Sequence, residues 1–114
     1  MLRGHQFLVV LVTVPTLRQA RQLARLVVQQ RVAACVNIVP AIQSLFWWKG
    51  RVNQARETLL IIKTTAKAFE ALRRLICAHH AYDVPEIIAL PIRAGHRPYL
   101  AWVQDSVRPL RRRR

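Results

Sequence analysis

Apolar positions along the chain change their spacing several times, and each change marks an element. Phe7 to Val12 is an unbroken apolar run. Its lack of alternation predicts a strand over His5–Val14, central and covered on at least one face. Val14-Pro15 ends it and Thr16 is a suitable N-cap, after which the spacing turns helical over Leu17–Arg31. Leu17, Ala20, Ala24, Val27 and Val28 form one apolar stripe. Arg18, Arg21, Gln22, Arg25 and Gln29 form the wet face at three- and four-residue steps. Next come two strand-like stretches about a turn at Lys49-Gly50-Arg51. The first runs from Cys35 through Ile38, Val39, Ile42 and Leu45 to Trp47 and Trp48; the second is Thr58–Thr64. Pro40 cannot donate to a ladder, so its strand lies at an edge or carries a bulge or bend. Lys67–His79 reads as a second helix with Phe69, Leu72, Leu75 and Ile76 inward, and Glu70 is placed for weak pairs with Arg73 and Arg74. A loop to Pro85 leads to a fourth strand, Glu86–Arg93, with Pro91 again at an edge or bend. A short helix closes the order over Pro98–Val107.

The order β-α-β-β-α-β plus a C-terminal helix is the ferredoxin-like plan of the α+β class. It has a four-stranded antiparallel sheet with two helices on one face. The other face stays apolar and must be covered, most economically by self-association. At 114 residues the chain reads as one domain over residues 1–107, followed by a basic, disordered tail over 108–114.

Composition changes the picture in one respect. Nineteen basic residues, sixteen of them arginine, face five acids, giving +14. That balance concerns association with anionic partners rather than fold, and arginine spread over solvated faces as a composition bias would produce it too. Cys35 and Cys77 set no disulfide framework and no zinc spacing. No apolar run is long enough for a membrane span, and Pro15–Ala20 offers no leader cleavage site, so the expected address is cytoplasmic, with no membrane partner. The three glycines are scattered, and neither Ser44 nor Ser106 sits in a nucleophile elbow, so no enzyme is expected.

The candidate chemistry is that of metal binding. His79 and His80 are adjacent at a helix end, and imidazole is the common ligand of copper and zinc. The alternative is two polar residues at a helix C-terminus, where positive charge is favoured. Cys35 is either a soft ligand or a small buried hydrophobe. Glu57 and Lys63, with Tyr82 and Glu86, line a pocket between subunits, or form an interchain ion pair beside a hydrogen-bonded tyrosine. Trp47 and Trp48 point to opposite faces of their strand. One is expected in the core, and the other at a subunit contact or a cleft rim.

Several motifs together carry a resemblance. Ala33-Ala34-Cys35-Val36-Asn37-Ile38-Val39-Pro40, Ser44–Gly50, Glu57–Thr64, the stretch His80-Ala81-Tyr82-Asp83-Val84-Pro85-Glu86 through Ile92, and Tyr99-Leu100-Ala101-Trp102 resemble the CutA divalent-cation tolerance family, in order and spacing. Ala81 stands where that family has proline, Phe46 where tyrosine is common, and Val12 where some bacterial members carry a cysteine. The resemblance implies a tight homotrimer in which long hairpins join sheets between subunits, and kinship with PII signalling proteins. It also implies binding of divalent cations, Cu²⁺ above all, and a role in metal tolerance. Two other readings remain at this point. One is a PII-like sensor or scaffold for a small ligand. The other is non-specific nucleic-acid binding through the arginine-rich surface; Thr58–Thr64 has no aromatic on which bases could stack.

Overall fold

The computed structural model describes residues 6–108. His5, and all of the expected tail except Arg108, lie outside the described residues. The elements are β1 (Phe7–Val14), α1 (Leu17–Gln29), β2 (Cys35–Trp48), β3 (Arg51–Thr65), α2 (Phe69–His79), β4 (Ile87–Pro91) and α3 (Arg97–Ser106). The sheet is antiparallel throughout, in the order β2-β3-β1-β4. Both proline-bearing strands are therefore edges. No helix among the described residues is long and apolar enough to cross a membrane.

Alternation sorts the sheet into two faces. Val10 and Val12 of β1 and Leu60 and Ile62 of β3 are fully buried, with Leu72 and Ile76 of α2 and Ala20, Leu23 and Val27 of α1. Truncating one of the larger of these side chains to alanine costs about 2–5 kcal/mol. The α1 stripe is rotated slightly from the expected one: Leu23 is buried and Val28 is 39% exposed. Thr16 caps α1 as expected, its side chain accepting from Gln19 N–H. Arg31, at φ 58, closes the helix. Its N–H bonds to Val28 O and the N–H of Val32 to Val27 O, the paired bonds of a Schellman motif with arginine in glycine's usual place.

On the opposite face α3 covers only one end. Leu100, Val103 and Val107 close over Phe7, Ala34 and Ala68. Val9, Leu11, Leu59 and Ile61 remain half-buried, and Ile88 and Leu90 are about half exposed at 49% and 50%.

The β2–β3 hairpin outruns the body. β1 pairs with β3 only from Thr58 to Thr65, so Arg51–Glu57 has β2 as its sole neighbour. This corrects two expectations. β3 is twice as long as its apolar part, because pairing with β2 holds the polar half in register. Neither tryptophan is core: Trp47 is 74% exposed and Trp48 59%, since neither β1 nor a helix reaches them. Lys49 (φ 52) and Gly50 (φ 75) make the two-residue turn, and Asn53 donates to the carbonyls of Trp48 and Arg51.

Candidate functional site

Where the hairpin leaves the body, β2 carries a bulge. The register shifts between Val39 and Ile42, and Ala41 adopts φ 61. Opposite it, Glu57 and Thr58 are both buried, although successive strand side chains point to opposite faces. Glu57, at 7% exposure, lies on the open face that it shares with Leu59.

The loop after α2 covers it. Tyr82 Oη donates to Glu57 Oε2 at 2.8 Å. Partial burial first, then the Glu57 carboxylate, push the Tyr82 phenol up to about 12. Tyr82 N–H donates to His80 Nδ1 at 3.0 Å, and His80 Nε2 donates to the Thr13 carbonyl at 2.8 Å. With Nδ1 accepting, the proton belongs on Nε2, so these bonds select the tautomer. The rings of His80 and Tyr82 pack 5.0 Å apart. The loop is thus tied to β1 through His80 and to β3 through Tyr82.

This lacing walls an open groove of about 750 Å³, lined by Glu57, Tyr82 and Glu86 on one side and Trp48, Phe46 and Asn53 of the hairpin on the other. Four of the residues singled out from the sequence (Trp48, Glu57, Tyr82 and Glu86) therefore meet in one place. Thr13 belongs with them and sequence reasoning missed it. The signal was present, as a hydroxyl residue in the apolar run of β1.

Two others lie elsewhere within the subunit. Cys35 and Lys63 are register partners at the far end of β2–β3. Lys63 is six residues from Glu57 along β3, about 20 Å at strand rise. Lys63 Nζ bonds to Asn37 Oδ1 and Ile61 O. Cys35 is half-buried beside Tyr99, whose phenol is raised by burial first and by Cys35 second.

His79 and His80 diverge. His80 leaves the helix with extended backbone, at φ −89 and ψ 146, and both its ring nitrogens are occupied by backbone groups. His79 turns back along α2, donating from Nδ1 to Leu75 O at 3.0 Å, which leaves Nε2 exposed. Both rim a second, smaller groove of about 230 Å³ against Gln19 and Gln22 of α1. Among the described residues no three His, Cys, Asp or Glu side chains converge as a metal site. The described residues of one chain therefore form no complete coordination shell.

A ferredoxin-like α+β domain whose overlong edge hairpin and the loop before β4 enclose a groove with two carboxylates is the class that this fold and site define. The chain belongs to the CutA1 divalent ion tolerance protein family, whose pattern matches residues 8–106. It is 48% identical over 101 residues to the chloroplastic CutA 1 protein of Oryza sativa, covering 89% of this chain and 57% of that protein. It is 49% identical over 98 residues to the divalent-cation tolerance protein CutA of Thermus thermophilus, covering 86% and 95%. The match thus spans little more than half of the chloroplastic relatives, 57% in Oryza sativa and 56% in Arabidopsis thaliana. The crystal structure of CutA1 from Oryza sativa superposes with a TM-score of 0.89 at 47% identity, over 92% of this chain and 96% of that one. The Thermus thermophilus structure gives 0.87 at 48% identity, over 89% and 98%.

Proposed function

We propose that this chain is a homotrimeric, non-enzymatic protein of the cytoplasm that binds divalent cations, Cu²⁺ among them, in metal tolerance. The observation that carries this reading is the sign of the groove. The chain has only five acids against nineteen basic residues, yet Glu57 and Glu86 line the groove and Asp83 stands in its loop. A small anionic ligand, as in a PII-like sensor, would be opposed there; a cation is favoured. Carboxylate donors hold Cu²⁺ more tightly than the other divalent first-row ions.

Exposed apolar surface supports the assembly. The open face of Leu59, Ile61, Ile88 and Leu90 and the bare tip of Trp47 and Trp48 are apolar surfaces that a second and third copy would cover.

Calorimetric titration of metal-free protein with Cu²⁺ tests the cation, and light scattering tests the assembly. Glu86→Gln should weaken Cu²⁺ binding while His79→Ala leaves it unchanged. Loss in His79→Ala alone would move the site to the α1–α2 groove, and no binding by any form would end the reading. The expected mass is that of three 13.2 kDa chains; a monomer at micromolar concentration would overturn the trimer.

A further inference from the structure

Helix α1 carries three arginines and no acid. Arg18, Arg21 and Arg25 stand at three- and four-residue steps, so they share one face, and all three are exposed. The other face, with Ala20, Leu23, Ala24 and Val27, is buried. The guanidiniums therefore point outward over about 10 Å of helix axis. Among the described residues, the basic side chains in salt bridges are Arg73 and Arg74, both on Glu70 of α2. Among the described residues no carboxylate pairs with the arginines of α1.

More positive charge gathers at the C-terminal end of this helix. Arg108 N–H donates to Arg31 O at 3.0 Å. Arg31 Nη1 donates to Ser106 O and Arg108 Nε to Asp105 O, satisfying the last carbonyls of α3. Five of the sixteen arginines, Arg18, Arg21, Arg25, Arg31 and Arg108, thus belong to α1, to its closing turn or to the residue bonded to that turn.

The geometry points to this face as a docking surface for duplex DNA, held by its phosphate backbone without sequence preference. Each strand of duplex DNA presents one phosphate per roughly 3.4 Å of axis, so about 10 Å of helix face meets about three, one for each guanidinium. A single strand is the poorer fit, because such strands are held by aromatics on which bases stack, and α1 contains none. Glu57 and Glu86 take no part, so the function is separate from cation binding.

The test is fluorescence anisotropy of a labelled random-sequence DNA duplex with the full chain, across a salt series. The comparison is between two variants that remove equal charge. Arg18→Gln/Arg21→Gln/Arg25→Gln strips α1; Lys67→Gln/Arg93→Gln/Arg97→Gln strips exposed positions elsewhere. The α1 variant should lose about tenfold or more in affinity, and its slope of log affinity against log salt should shrink by about 3. The second variant should bind nearly as well as the parent. Equal losses in both would mean that net charge alone drives binding and would overturn the assignment. So would absence of binding at low salt, or tighter binding to single-stranded RNA or to anionic lipid vesicles than to the duplex. Circular dichroism of each variant separates loss of binding from loss of fold.

Discussion

The Tyr82 hydroxyl donates to the Glu57 carboxylate across 2.8 Å, joining two residues 25 positions apart. Glu57 is the only acid buried in the described fold, and it sits where the hairpin leaves the support of β1. The loop that brings Tyr82 is held in turn by His80 on the Thr13 carbonyl. Groove shape, strand register and loop position are therefore one connected arrangement.

Removing the hydroxyl should be felt by the whole arrangement. Tyr82→Phe leaves a buried carboxylate oxygen without its donor, at a cost of about 1–3 kcal/mol, readable as a lowered Tm. An ultraviolet titration supplies the pH test. The folded phenol value of about 12 lies above the ordinary 10, so this group contributes its full stability below pH 10 and loses it as pH rises toward 12. Glu57→Gln should bring the Tyr82 midpoint down toward 10. An unchanged midpoint would show that burial alone, and not the carboxylate, sets it.

His80 offers a sharper distinction between structure and metal binding. Its two ring nitrogens are spent on Thr13 O and on Tyr82 N–H. His80→Ala should therefore destabilise metal-free protein by about 2 kcal/mol and speed amide exchange in residues 81–86. His79→Ala, whose ring is exposed and bonds only within its own helix, should change metal-free stability by much less. Equal stability of the two variants without metal would show that His80 is not the tie between loop and β1.

The order of elements was legible because hydrophobic spacing reports burial directly. β1, α1, α2 and α3 fall within two residues of where their patterns place them. The hairpin was legible only in its apolar half. Most of Arg51–Glu57 lies between the expected turn and the strand placed at Thr58–Thr64, yet it is strand, because backbone pairing with β2 needs no apolar side chain. The same region misled the reading of Trp47 and Trp48: aromatic strand residues are usually core, and here no layer lies above them. Glu57, Tyr82, Glu86 and Trp48 could be singled out by residue type. That Lys63 and Cys35 stand at the other end of the sheet follows from strand length once β3 is known to run straight through. The His80–Thr13 bond spans 67 residues, and no local pattern announces it.

The bulge in β2 makes the last prediction. Ala41 holds φ 61, a left-handed conformation in which the Cβ of an L-residue crowds the following carbonyl. Its exposed side chain makes no core contact, so the conformation goes with the register shift between Val39 and Ile42. Glycine adopts this geometry freely, and Ala41→Gly should raise stability by up to about 1 kcal/mol, the left-handed cost of about 1–2 kcal/mol less the chain-entropy cost of glycine of about 0.5–1 kcal/mol. Ala41→Val, branched at Cβ, should lower it by about 1–2 kcal/mol, in keeping with the cost of strained backbone. Thermal unfolding of the three forms at one protein concentration checks the order Gly, Ala, Val. The effect on the groove should follow the same order, since the bulge sets where Ile42 and Gln43 meet Glu57 and Arg56. If glycine instead loosens the hairpin, lowering stability and speeding amide exchange in Arg51–Glu57, then Ala41 is acting as a brace on the register rather than as a point of strain.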